Sequence, residues 1–399
     1  MTEDSQIGIL YFFCDTERMF SGSVLLRFNF FDNEQKNIIW VLYYFFVYCI
    51  ISLSIVPART RICRNTKMEV FILARGLLTN TSKNPALGLN MFTDDELFEV
   101  HLATLDVLWN VGIKCESKEA REIFAGAGCL VDEATHIVKI PAWLVEDSMR
   151  VAPPNFRCTG RDPQKDWYCE SGRTGFVNFG EALNVIDPYT RKRRPPTKDD
   201  LYSSVTMIDH MDNIVVFERN IVPADVDPYV GQLHVLNAFL NNTTKPGYIG
   251  MHDPNNIKVA FKMGSVVAGS EEKFKERPFF RTSTDPISPL VQAQGATDAL
   301  IYATRLGIPV KINPLGMAGG TTCVHLAGTM VTHNAEVVSM FVLGQLIKRG
   351  VPMVYGSSTA MMDLSTTVSC VGSPELALFS AFVAKMAQFY KVPSWVAGG

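Results

Sequence analysis

Three junctions in the last hundred or so residues repeat one another: Arg305-Leu306-Gly307-Ile308-Pro309, Arg349-Gly350-Val351-Pro352 and Tyr390-Lys391-Val392-Pro393. Each closes a helix-length apolar segment and opens a short apolar run headed by proline. Proline fits the first residue of a strand because no ladder donor is needed there. The prolines recur about 42 residues apart, the length of a generous βα unit. Short strands buried on both faces and strung together by helices argue for a parallel sheet.

The same alternation extends upstream. Strand-like runs are expected at Phe176–Phe179, Ile214–Phe217, Tyr248–Met251, Phe279–Thr282, Val310–Asn313, Met353–Tyr355 and Ser394–Ala397. Helices are expected at Val230–Phe239, Asn255–Val267, Ala293–Leu306, Thr329–Lys348 and Pro374–Tyr390. Seven βα-type strands predict a TIM-type (β/α)8 barrel that is incomplete at the C-terminus. A doubly wound open sheet is the alternative, but no G-x-G-x-x-G turn follows an early strand. The last residues, Pro393 to Gly399, read as a buried strand running into two glycines, an ending expected to be an interruption.

Three regions are expected: 1–67, 68–155 and 156–399. Within 1–67, Ile38–Val56 carries no charge and is long enough to span a bilayer. Arg59, Arg61, Arg64 and Lys67 follow it, which would keep the remainder cytoplasmic. The competing reading is that 1–67 is not part of the working protein, with Met68 as an internal start and a cytoplasmic product. Region 68–155 reads as a small helical subdomain. A capping box at Thr93-Asp94-Asp95-Glu96 opens a helix ending near Gly112, and Ser117 opens a second. Region 156–399 is the partial barrel.

The chain has 399 residues, 47% of them hydrophobic and 19% charged, enough for a substantial core. A net charge of −3 gives no electrostatic reason to expect nucleic acid. Nine cysteines without a C-x-x-C pair suggest neither a zinc site nor a disulfide framework. His325 and His333 lack zincin spacing, so no metal is expected. The basic run Arg191 to Arg194 reads as a solvated loop.

In a (β/α)8 barrel, functional groups gather beyond the C-terminal strand ends. That rule selects Glu218, His252-Asp253, Ser283-Thr284-Asp285, Asn313 and Ser357-Ser358-Thr359, with Tyr355 as a further inward candidate. These groups suit the orientation of a small polar ligand. No Ser-His-Asp, Cys-His or paired-carboxylate arrangement can be chosen from spacing.

Several stretches together resemble the trimethylamine:corrinoid methyltransferase family: Asn313-Pro-Leu-Gly-Met-Ala-Gly-Gly-Thr321, His325-Leu-Ala-Gly-Thr329, Thr332-His-Asn-Ala-Glu336, Tyr355-Gly-Ser-Ser-Thr359, Gly372-Ser-Pro-Glu375 and Pro393-Ser-Trp-Val-Ala-Gly-Gly399. Weaker echoes lie at Phe92–Leu97, Val138–Pro141 and Gly160–Asp162, so the resemblance covers roughly Leu89 to Gly399. It implies a (β/α)8 barrel that moves a methyl group from trimethylamine to the Co(I) of a cognate corrinoid protein, leaving dimethylamine. No cofactor is expected on this chain; the corrinoid belongs to the partner. Members from methylamine-using methanogens carry pyrrolysine, encoded by an in-frame amber codon, so the resemblance implies pyrrolysine directly after Gly399. The chain as given is then expected to be inactive, and the full-length protein to form a homo-oligomer. Strand-end position and chemistry nominate Tyr355, Ser357, Asn313, His252 and Glu336 as the shell around that residue. Two alternatives stay open: a non-pyrrolysine relative that demethylates a quaternary amine such as glycine betaine, and a membrane-anchored, non-catalytic fragment.

Overall fold

The computed structural model describes residues 91–398. The expectations for 1–67, including the span 38–56, fall outside the described residues. Seven parallel strands form one sheet: β1 (Phe176–Val177), β2 (Ile214–Glu218), β3 (Gly247–Tyr248), β4 (Phe280–Thr284), β5 (Val310–Ile312), β6 (Met353–Ser357) and β7 (Ser394–Val396), paired in that order. Six long helices alternate with them, with a short one (Glu271–Glu276) after the third: α1 (Lys198–Asp209), α2 (Gly231–Asn242), α3 (Pro254–Ala268), α4 (Gln294–Leu306), α5 (Leu326–Ile347) and α6 (Pro374–Phe389). This is an incomplete (β/α)8 barrel; among the described residues no ladder joins β1 to β7.

Local chemistry sets the helix starts. Thr197 and Asp200 make a capping box for α1; Asp253 and Ser373 cap α3 and α6, each with proline in the first turn. Gly269 and Gly307 end α3 and α4 in the left-handed conformation. The basic run is partly structured: Arg193–Arg194 pairs with Val185–Ile186, and the Arg194 guanidinium bridges Asp187 and Asp200.

Because strands alternate their faces, two packing layers appear. Phe217, Ile249, Phe280, Val310, Ile312, Met353 and Tyr355 face the helices and belong to the large core. Val216, Tyr248 and Val354 belong to a separate cluster inside the barrel, joined by Trp395. Gly247 shows how tight the outer layer is: a Cβ there would sit 2.5 Å from the Phe239 ring on α2. Among the described residues α5 is the one helix long and apolar enough to cross a membrane, and 72% of that window is buried within the fold. It is a core helix.

The N-terminal part adds three helices, Asp94–Asp106, Lys118–Gly126 and Ala142–Val151. The Thr93–Glu96 capping box is present, and the first helix runs through a π turn (Val107–Val111) to Gly112, where φ is +82°. Strands Ile113–Cys115, Ile137–Lys139 and Leu130–Asp132 make a small sheet. Its fourth strand, Val291–Gln292, comes from the barrel's β4–α4 loop, with Lys114 opposite Val291. An antiparallel pair, Asn155–Cys158 with Trp167–Glu170, closes the barrel from below.

Candidate active site

The lumen is built by the residues that alternate with the outer core. Tyr248 is in register with Glu218 and Arg281, Ser283 with Lys311, Lys311 with Val354, and Gly356 with Trp395. Lys311 is the centre of this layer. Its Nζ donates to Glu218 Oε2 at 2.7 Å and lies 4.4 Å from the Trp395 ring centroid and 5.4 Å from that of Tyr248. The two rings meet edge to face at 4.9 Å. A carboxylate and two aromatic faces thus surround one ammonium group, the combination that recognises cationic amines.

Above this layer, the loops after the strands form a polar mouth. Asn178 fixes the end of β2 by bonding both the Glu218 N–H (2.9 Å) and its carbonyl (2.7 Å). Arg219 pairs with Glu181 and reaches toward the Gly250 carbonyl. His252 Nε2 lies 3.7 Å from Asp285 Oδ2, and Asn313 Nδ2 donates to Ser358 Oγ at 2.9 Å. Asp285 Oδ1 and Asn313 Oδ1 are buried without a hydrogen-bond partner. Unpaired buried acceptors are costly in a folded protein and are the groups to expect where a ligand completes the set.

Burial governs the acid–base character of this mouth. It pushes the Glu218 carboxyl up, with the Lys311 ammonium opposing the rise. It raises Asp285 in the same way, against the charge of His252, Lys311 and Arg219. It lowers His252, which favours the neutral imidazole, and lowers Arg219 to about 10.

Of the shell expected from sequence, the structure places His252 and Asn313 at the mouth and three residues elsewhere. Tyr355 has the outward parity of β6: its hydroxyl donates to Asn334 Oδ1 on α5 at 2.7 Å, and its ring stacks on Tyr390. Ser357 shares that parity, is buried, and uses its Oγ to accept the Thr359 N–H at 3.1 Å. Glu336 lies on α5, outside the sheet, where it accepts from Ser288 Oγ and Leu290 N, both at 2.9 Å. Strand parity and helix position direct all three into the outer shell, away from the lumen. Asp253 is likewise a helix cap, accepting from Asn255 N and the Tyr229 hydroxyl, each at 2.6 Å.

Lys311, Arg281, Tyr248 and Trp395 were missed by strand-end reasoning. A signal for two of them existed: a lysine and an arginine each in the middle of an otherwise apolar strand have only the lumen to face. No cluster of three or more His, Cys, Asp or Glu side chains suited to a metal occurs among the described residues. A cleft of about 380 Å³ lined by His101, Glu146, Met149 and Tyr390 lies at the opposite end of α6 from the mouth.

A parallel sheet of βα units with a charged, aromatic lumen and its polar groups at the strand ends defines the class as a βα-barrel protein. The fold resembles a solved crystal structure, the hydroxylamine MtmB complex, at a TM-score of 0.52 and 11% identity, over 81% of this chain and 65% of that one. The family model for trimethylamine methyltransferase (MTTB) matches residues 64–399, and the chain belongs to this family. It is 45% identical over 312 residues to trimethylamine methyltransferase MttB of Desulfitobacterium hafniense (strain DSM 10664 / DCB-2), covering 78% of this chain and 63% of that relative. It is 39% identical over 317 residues to the Methanosarcina thermophila protein of the same name, covering 78% and 65%. Glycine betaine methyltransferase of Desulfitobacterium hafniense (strain Y51) is 28% identical over 311 residues, covering 78% and 64%. The chain therefore spans less than two thirds of the length of these relatives.

Proposed function

We propose that the full-length protein moves a methyl group from trimethylamine to the Co(I) of a cognate corrinoid protein. The observation that carries this reading is the 45% identity to a trimethylamine methyltransferase over 312 residues, against 28% over 311 to the glycine betaine enzyme. The reading also places pyrrolysine next to Gly399, where its ring imine supplies an electrophile that no standard side chain offers. A soluble cytoplasmic location and a homo-oligomer go with the same reading.

The residues of this chain have definite tasks in such a reaction. Trp395 and Tyr248 give π faces, and Glu218 a negative charge, to a lumen that already holds one ammonium group. Asn313 and Asp285 each present an acceptor without a partner and orient an amine by hydrogen bonding once it is protonated. A tertiary amine leaves poorly unless it is protonated or otherwise activated. A carboxyl group raised by burial, as Asp285 is, keeps a proton available at higher pH than a free one. The barrel walls exclude bulk water, which strengthens each of these interactions.

The test is single-turnover methylation of a Co(I) corrinoid protein by the full-length protein made in a pyrrolysine-decoding host, followed by the cobalt absorbance change. Trimethylamine should methylate the cobalt and glycine betaine should not. Methylation by glycine betaine alone would replace this reading with the quaternary-amine one. The triplet after the Gly399 codon is a second check: TAA or TGA there, without an open frame beyond, would remove pyrrolysine from the scheme.

A further inference from the structure

Glu336 is a buried carboxylate on α5 that stays outside the lumen, yet both of its oxygens are spent on a loop that reaches the mouth. The β4–α4 loop leaves its strand at Asp285 and folds back on itself: Ile287 N donates to Val291 O at 2.8 Å, and Val291 N to Ile287 O at 2.9 Å. Ser288 to Leu290 make the turn between those bonds. Glu336 grips both sides of it, Oε2 accepting from Ser288 Oγ and Oε1 from Leu290 N, each at 2.9 Å. These are the only hydrogen bonds to the carboxylate among the described residues. Burying a carboxylate is costly, and those two bonds are all that offset the cost here.

The turn needs such a grip. Leu290 has a φ of +61°, in the left-handed region that L side chains adopt only where their surroundings hold them. Its N–H is held by Glu336 and its carbonyl accepts from Lys114 N at 2.9 Å, so the residue is fixed from both sides. Ser288 in turn abuts the next loop: a Cβ on Gly316 would lie 3.3 Å from Ser288 Oγ and 3.5 Å from Thr359 Oγ1. Gly316 N donates to Thr359 Oγ1 at 3.2 Å, and that oxygen lies 3.3 Å from Nδ1 of His333, one turn before Glu336 on α5. The loops after β4, β5 and β6 therefore meet over one turn of α5, with Asp285 and Asn313 at the bases of the first two.

We propose that Glu336 is a positioning residue: by fixing the Ser288–Leu290 turn it sets where Asp285 presents its carboxyl group to the amine. This rests on the methyl-transfer reading, in which Asp285 orients the substrate. Asp285 itself is loosely held. Its Oδ1 is buried without a partner, and its Oδ2 lies 3.7 Å from His252 Nε2, too far for a hydrogen bond. Its side chain is thus placed by its backbone, and that backbone by the turn three residues on. Glu336 touches neither substrate nor reacting atoms; it acts through Asp285.

The test uses the full-length protein and two replacements. Glu336→Gln keeps both bonds, its Oε1 accepting from Leu290 N and its Nε2 donating to Ser288 Oγ, whereas Glu336→Leu keeps the volume and removes both. Without substrate, amide exchange across 286–292, read by mass spectrometry, should quicken at least about 10-fold in Glu336→Leu and stay within about 2-fold in Glu336→Gln. The His252 titration, read from its imidazole NMR signal, reports Asp285 directly, because the Asp285 charge holds it up. It should fall toward its Asp285→Asn value in Glu336→Leu and stay in Glu336→Gln. The kcat/KM for trimethylamine should drop about 100-fold in Glu336→Leu, but less than about 3-fold when the same change is made in Asp285→Asn. Additive kinetic losses, or exchange and titration unchanged in Glu336→Leu, overturn the proposal. Where Glu336→Leu does not fold, Ser288→Ala, which removes one of the two bonds, is read in its place with the same directions. An unsubstituted protein that leaves cobalt unmethylated by trimethylamine refutes the substrate reading instead, and the exchange and titration then decide on Glu336.

Discussion

Replacing Lys311 by Met removes the cation from the buried Glu218 pair and leaves the methylene stem. The bond broken is 2.7 Å long, and both side chains are at most one-tenth exposed. Breaking a buried pair by removing one partner costs about 3–5 kcal/mol, because the remaining charge is uncompensated. Lys311→Met should therefore lose about that much unfolding free energy at pH 8, read from the urea midpoint of the full-length protein. Glu218→Gln in the same background should recover much of it, since the orphaned carboxylate is then gone. The double-mutant cycle should give a coupling of about 2 kcal/mol or more. The pH dependence has a defined sign. The folded pKa of Glu218 lies above its unfolded value, so the native state binds the extra proton and stability falls as pH rises. Without Lys311 only the Arg219 backbone bond opposes that rise, so the loss should shrink as pH falls below the raised folded value. Strictly additive single-variant losses, or a loss independent of pH, would refute the reasoning.

Glu336 is raised to about 7 by burial, despite the bonds from Leu290 N and Ser288. Its contribution should be full below the unfolded value and diminish up to about pH 7, and Glu336→Gln should flatten urea stability over that window. In Gly356→Ala the new Cβ would meet Ile312 O at 2.5 Å and Asn313 Oδ1 at 3.0 Å. A backbone atom cannot yield easily, so about 1–3 kcal/mol of stability should be lost, and methyl transfer should fall because Asn313 is displaced. Tyr355→Phe should cost about 1 kcal/mol through the orphaned Asn334 carbonyl and leave the Michaelis constant for trimethylamine unchanged. A large change in that constant would return Tyr355 to the mouth.

Much of the barrel was legible because the proline-headed strands and their spacing carry the period of a βα unit, and no G-x-G-x-x-G turn favoured the doubly wound alternative. The weaker points were physical. β3 has only two ladder residues, Gly247 and Tyr248, so the expected run to Met251 is mostly the loop beyond it. β6 is buried at all five positions, and a strand apolar on both faces loses the alternation that tells inside from outside. The inward or outward direction of Tyr355 and Ser357 was not legible for that reason, while Lys311 in the adjacent β5 and Arg281 in β4 beyond it held the missing phase. Glu336 sits in a helix enclosed on nearly every side, where position along the chain does not say which neighbour it meets.

The strand Val291–Gln292 gives the N-terminal sheet a mechanical meaning. Lys114 N and Glu116 N donate to Leu290 O and Gln292 O, so the loop that starts at Asp285 is sewn to Ile113–Cys115 at two points. A protein engineer who trims the chain back to the barrel would cut that seam. The loop would lose its outer anchor, and one wall of the mouth would go slack although every barrel strand remained in place.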